Sequence, residues 1–279
     1  MSTGSALTIY EGQQLHAIKA WQDEKPGVLS QALGMVAKPM AWFMTKIIPE
    51  AAIRGALSAS NTAARWMTDT ADIVRDAHVE AIADLKDKDL ELSDRLADEV
   101  HNWAIGIAAV EGTATGFFGV FSVPVDVPAI ITLALRTIHK IGVCYGYECK
   151  TERDEQFVLG ILSASGSNSM DEKVAALATL KAIQMALLSQ TWKTMAEKAA
   201  QSQLSKEAVL ISIRSLAKQL GINITKRKAL AAIPVVGAAI GGTVNGCYIK
   251  DVGWAARRMF QERWLKDNGK SGAASQQTT

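Results

Sequence analysis

Cysteine is scarce in this sequence, with only Cys144, Cys149 and Cys247 among 279 residues. An odd count without C-x-x-C spacing argues against a disulfide scaffold or a zinc knuckle and suits a reducing compartment. Charge of either sign is not in excess. Thirty lysines and arginines against 28 aspartates and glutamates leave a formal net charge of +2, which lacks the strong basic field of a general nucleic-acid binder, so no nucleic-acid partner is expected. The alternation of apolar and polar residues that marks a strand is missing over any useful length. Catalytic signatures are missing too: there is no H-E-x-x-H, no G-x-S-x-G and no G-x-x-x-x-G-K-[ST], and no motif asks for a cofactor or a metal. The first residues hold no basic region followed by an apolar run, so no signal peptide is expected.

What is present is apolar and helical in period. Hydrophobic residues make up 48% of the chain, enough to bury a large core without disulfides or metals. The centre of the pattern is 111–148, EGTATGFFGVFSVPVDVPAIITLALRTIHKIGVCYGYE, which is glycine-punctuated and holds few charges. Gly112 and Gly116 form a pair of small residues four apart that lets another helix come close. Pro124, Asp126 and Pro128 predict a turn in which Asp126 caps the following helix. A second segment, 229–249, runs 21 residues without a charge after Lys226, Arg227 and Lys228, the length and flank of a membrane span. Pro234, Asn245 and its glycines, including the pairs Gly237/Gly241 and Gly242/Gly246, fit a buried helical hairpin equally well. The similar segment 103–123 carries Glu111 near its middle, which would cost roughly 3 kcal/mol at a bilayer centre.

In chain order, residues 1–27 read as a weakly patterned segment ending at Lys25-Pro26-Gly27. From Val28 to Trp66 apolar residues recur at helical spacing, with Pro39 and Pro49 placed to begin new helices. Residues 84–91 read as a solvated connection. Ser93 then predicts an N-cap, with Leu96, Val100, Trp103, Ile107 and Val110 on the buried face. Thr151 with Asp154, and Ser169 with Glu172, have capping-box spacing and predict helices starting at Glu152 and Met170. The second of these is long, with Val174, Ala178, Ala182 and Met185 on its apolar face. Residues 251–266 predict a basic amphipathic helix, with Met259, Phe260 and Trp264 on one side and mostly Arg257, Arg258, Glu262 and Lys266 on the other. The tail 269–279 is rich in Gly, Ser and Gln and is expected to be disordered. The expected architecture is therefore all-α: a single-domain multi-helix bundle over 28–268, with two glycine-rich apolar helical hairpins in its core.

The order of KPMAWFMTKIIPEAAIRGAL, LSDRLADEVHNWAIG, the 111–148 stretch and AAIPVVGAAIGGTVNGCYIKDVGWAARRMFQERWL resembles the EcsC protein family of bacteria over roughly 38–265. The glycine stretch followed by P-x-D-x-P, a long helix and Y-G-Y carries the resemblance. The family takes its name from a gene neighbouring an ABC transporter. The resemblance implies a bacterial helical protein working at or near a membrane, with no catalytic residues to carry over.

Three functional readings follow. In the first, the chain is a non-enzymatic, cytoplasmic protein, peripheral on the inner face of the cell membrane, with a membrane lipid or membrane-protein partner. Its contact residues would be Lys226, Arg227, Lys228, Arg257, Arg258 and Trp264. In the second, it is a hydrolase-like enzyme in which Glu111, Asp126 and His139 share one cleft. In the third, it is a toxin-like protein whose hairpins insert into a membrane. Against a catalytic use, the polar core residues Glu111, Asp126, Arg136, Asn245 and Asp251 also fit a structural role of ion pairing, capping and backbone bonding.

Overall fold

The computed structural model describes residues 6–25, 69–116, 123–167, 169–192 and 237–270, with side-chain surroundings outside 111–128, 152, 185–192 and 237–244. Seven α-helices and one 3₁₀ turn (Ile82–Asp87) make up these segments: α1 Ile9–Asp23, α2 Ala71–Ala77, α3 Leu90–Gly116, α4 Val123–Cys144, α5 Glu152–Ser165, α6 Met170–Trp192 and α7 Gly237–Asp267. There is no strand among the described residues, and the chain is an all-α multi-helix bundle.

Helix α7 is its axis. Its 31 residues span about 46 Å, and α3, α4, α5 and α1 all pack on it, α3 most extensively. Ile249, Val252, Ala255, Ala256, Met259, Phe260 and Leu265 are fully buried, and Trp264 nearly so. The helix expected over 251–266 is thus the second half of one longer helix, and its basic residues point largely into the bundle. Small residues set its distance from α3: Gly246 lies against Ala109 and Ile105, and Gly253 lies against His101. Helices α3 and α7 therefore pack closely, and the surroundings of Gly112, Gly116 and residues 237–242 on them lie outside the described residues. The turn expected at Pro124, Asp126 and Pro128 falls inside helix α4, while 229–236 and Lys226, Arg227 and Lys228 lie outside the described residues.

Several local expectations are corrected. Residues 1–27 hold helix α1, started by a capping box in which Thr8 accepts from the Glu11 amide and the Glu11 carboxylate from the Thr8 amide. Helix α3 begins at Leu90, so Ser93 is a buried residue of its first turn instead of a cap. Its buried face is Leu96, Ala97, Val100, His101, Ala104 and Ala108, while Trp103 (49% exposed) and Val110 (70%) face outward. The alanines lie inward because α7 comes too close for larger side chains. Residues 84–91 are not merely a solvated connection: Leu85 and Leu90 are fully buried. Helix α4 starts at Val123 and takes Asp126 and Pro128 inside it. Pro124 sits in the first turn, where its missing N–H would have no intrahelical partner. In α6, Val174 is exposed while Lys173, Ala176, Leu177, Leu180 and Gln184 are buried.

Both helix starts stand as expected, with a complete capping box at Thr151 and Asp154, and with Ser169 Oγ accepting from the Glu172 amide at the start of α6. Helix α4 ends in a Schellman motif: Tyr147 N donates to Gly142 O and Gly146 N to Val143 O, with Gly146 at φ 85°. That turn aims both tyrosines of Y-G-Y into the core, where each packs parallel to Phe260.

Candidate functional site

Most polar side chains of the bundle are spent on holding it together. Asp94 of α3, 3% exposed, is the hub. It accepts from Tyr145 Oη at 2.5 Å, Tyr10 Oη at 2.6 Å and Gln261 Nε2 at 2.7 Å, joining α1, α3, α7 and the turn after α4. Burial, followed by the neighbouring carboxylate, raises the Tyr145 hydroxyl well above its ordinary range, so it stays a donor. The cations of α7 are similarly engaged. Arg257 pairs with Asp98 at 2.5 Å, Arg263 with Asp154 at 3.0 Å, and Lys266 with Glu262 at 2.6 Å. Burial works against the Asp154 carboxylate, but the Thr151 hydroxyl and Arg263 together hold it below its usual range. Trp264 is 2% exposed, with Lys270 over its ring. Arg257 and Trp264, expected as membrane contacts, are thus engaged inside the fold in this structure.

The other expected site residues are scattered. Asp126 and His139 lie on the same helix, thirteen positions apart, which puts them about 20 Å apart along its axis. They cannot share a hydrogen bond, and the hydrolase reading that needs them in one cleft fails on helix geometry. The side-chain surroundings of Glu111 and Asp126 lie outside the described residues. His139 is buried on α4, Arg136 lies over the Trp103 ring at 5.2 Å, and Asn245 is buried on α7. No group of three or more His, Cys, Asp or Glu side chains suited to a metal ion occurs among the described residues. No helix among them is long and apolar enough to cross a membrane.

One stripe of α7, Lys250, Asp251, Trp254 and Arg258 at helical spacing, is exposed at Lys250 and half-buried at the other three among the described residues. It forms the floor of a cleft of about 630 Å³, walled on one side by Trp21 and the end of α1 and on the other by the junction of α5 and α6. Lys173, 5% exposed at the start of α6, closes one end. Its ammonium donates to the carbonyls of Trp21 and Glu24, the negative end of the α1 dipole, and lies 4.8 Å from the Trp21 ring centroid. Arg258 donates to Gln14 and Gln261 at 2.9 Å each while its guanidinium lies 5.0 Å from the Trp254 ring centroid. Desolvation lowers the pKa of both cations. The serine hydroxyls at the junction are committed, Ser165 donating to Leu162 O and Ser167 to Ser163 O. The lining therefore combines four cations and two carboxylates with two indoles and small residues.

Behind the floor, His101 meets the Trp254 ring edge-on at 5.6 Å, and its Nε2 donates to the Lys250 carbonyl at 3.0 Å. Burial, with Arg257 adding to it, lowers its pKa to about 4. The folded value lies below the unfolded value of about 6.5. The neutral ring's contribution is therefore full above that pH and is lost progressively as pH falls toward 4. Lowering pH from 7 to 5, where unpaired carboxylates are still ionised, is expected to cost about 2 kcal/mol through this residue. Urea unfolding at the two pH values checks this, and His101→Gln should flatten the difference. An equal pH dependence in that variant would assign the effect elsewhere.

Of this cleft, sequence reasoning singled out Asp251 as polar core and Arg258 as a contact. The spacing of four from Lys250 to Trp254 to Arg258 was a readable signal. Lys173 and Trp21 gave none, since each matters only through the other helix.

The architecture defines a class: an all-α bundle built on a buried central helix, with a cationic, aromatic cleft along a partly exposed stripe of that helix. The model of the EcsC protein family matches residues 12–265, and the chain belongs to that family. It is 26% identical over 186 residues to the Bacillus subtilis (strain 168) protein "Uncharacterized protein YdbA", covering 66% of this chain and 62% of that one. It is 24% identical over 161 residues to "Protein EcsC" of the same organism, covering 58% of this chain and 59% of that one. The chain thus spans about three fifths of the length of these curated relatives. No solved structure gives a significant match.

Proposed function

We propose that this EcsC-family chain is a non-enzymatic binding protein that works at the inner face of the cell membrane, against a lipid surface or a membrane transporter. The observation that carries the binding part is the cleft, whose lining offers cations and indoles while its two serine hydroxyls are spent on backbone carbonyls. The membrane part is supported by the exposed cations Lys25 and Lys250 at the cleft and by the Lys226-Arg227-Lys228 run, which suit an anionic surface. The resemblance to a family named beside a transporter gene points the same way.

Fractionation of the tagged protein from bacterial cells tests it. The chain is expected in the membrane pellet, released by high salt or by alkaline carbonate, because the contact is electrostatic and peripheral. A wholly soluble chain that recovers no membrane partner would sink the proposal. Resistance to both washes would replace it with an inserted state.

A further inference from the structure

We infer that the cleft between α1, the α5–α6 junction and α7 is a receptor for an organic phosphate, the phosphate lying among Lys173, Lys250 and Arg258 and the organic body against Trp21 and Trp254. The inference rests on the reading of the chain as a binding protein and names the ligand chemistry of its cleft.

The charge balance is the first argument. Lys25, Lys173, Lys250 and Arg258 line the cleft against Glu24 and Asp251, which leaves two net positive charges in a chain whose total is only +2. These cations come from α6, α7 and the residues just past α1 and converge on one recess, the arrangement suited to an anion with several oxygens. Lys173 supplies the second argument. An ammonium has three N–H donors, and Lys173 gives two to the carbonyls of Trp21 and Glu24. The remaining donor belongs to a cation that is already desolvated and held in place, so little side-chain entropy is left to lose on binding. Size is the third. A recess of about 630 Å³ is far larger than a bare phosphate needs and falls within the range of about 300–1,000 Å³ typical of small-molecule sites. The alanines Ala17, Ala20 and Ala164 together with the two indoles give the remaining volume an apolar lining. Phosphate on an apolar or aromatic body satisfies both halves of the cleft.

The same chemistry comes from a soluble phosphate ester or from a lipid headgroup, and two arms separate these. In the first, phenyl phosphate is titrated against the full chain with tryptophan fluorescence as readout, and inorganic phosphate is tested as a competitor. In the second, the chain is floated with vesicles of phosphatidylcholine with or without phosphatidic acid. Lys250→Glu is the test variant, because Lys250 is exposed and its side chain carries no described structural contact. Lys19→Glu, exposed on α1 outside the cleft lining, is the control for net charge. Binding in at least one arm is expected, weakened about tenfold or more by Lys250→Glu and much less by Lys19→Glu. Phenyl phosphate binding without flotation identifies a soluble ligand, and flotation that requires phosphatidic acid identifies a headgroup.

The absence of saturable binding up to about 10 mM phenyl phosphate, together with no flotation, overturns the inference. So does equal weakening by the two variants. Membrane recovery in cells combined with these negative results would leave the peripheral reading standing and remove only the phosphate.

Discussion

Asp94→Ala is expected to destabilise the fold by about 4 kcal/mol, because one truncation strands the buried Tyr145 and Gln261 donors and the half-buried Tyr10 hydroxyl. Tyr145 Oη, Tyr10 Oη and Gln261 Nε2 all end on this carboxylate, which is 3% exposed. Tyr145 is itself fully buried and has no route to water. Each stranded group costs about 1–3 kcal/mol, reduced where a neighbour relaxes or water enters. Tyr145→Phe removes one donor along with its need and should cost only about 1 kcal/mol. Asp94→Asn keeps the shape but turns one acceptor into a donor facing donors, so it should fall between the two. Urea unfolding followed by circular dichroism orders the three variants, and Asn gives the ranking if Ala does not fold. An Asp94→Ala loss below about 1 kcal/mol would mean that the network is not the fastening described.

Gly253→Ala is the second large effect, expected to cost about 3 kcal/mol or more through overpacking. A Cβ at this position would fall inside the contact distance of His101 Cδ2 and Nε2. The ring is 2% exposed and hydrogen-bonded to the Lys250 carbonyl, so it cannot move aside without losing that bond. A double-mutant cycle isolates the clash. Gly253→Ala in a His101→Ala background should be far milder than in the parent, because the truncated side chain leaves room. Simple additivity of the two substitutions would contradict the close packing of α3 on α7. Gly142, where an added Cβ would lie 2.7 Å from Phe260 Cζ, marks another tight contact of α7, here with α4.

The helical class and the starts of α5 and α6 were legible because they depend on local chemistry. Thr151 with Asp154 and Ser169 with Glu172 satisfy backbone amides within one turn. The same reasoning was available at Thr8 and Glu11, and applying it there would have found α1 inside a segment read as weakly patterned. The buried faces were harder. Periodicity assigns large apolar residues inward, yet Trp103, Val110 and Val174 face out while Ser93, Asp94, His101 and Lys173 face in. Close helix approach favours alanine and glycine at the α3–α7 contact, and Asp94, His101 and Lys173 are tolerated inside because each finds a partner from a distant helix or its end. Those partners are 51 positions apart for Tyr145 and Asp94 and 159 for Arg257 and Asp98, separations that no local pattern encodes. The basic character of α7 misled for the same reason, since charge alone does not distinguish a solvated arginine from a cross-linking one.

The cleft follows from this construction. Among the described residues the central helix keeps one stripe partly exposed, and that stripe faces both α1 and α6. Helix α1 is held over it mostly by polar contacts: Tyr10 to Asp94, Gln14 to Arg258, Gln22 to Glu262, Glu11 to Lys270, and Lys173 to its terminal carbonyls. Its buried apolar anchor is Ile18.

The burial of α7 is therefore the claim on which the rest depends, and amide hydrogen exchange read by mass spectrometry tests it most directly. Peptides covering 252–265 should exchange among the slowest in the chain, at rates set by global unfolding, with α1 opening earlier. Exchange over 252–265 as fast as that of an exposed surface helix, with α3 remaining protected, would contradict the account.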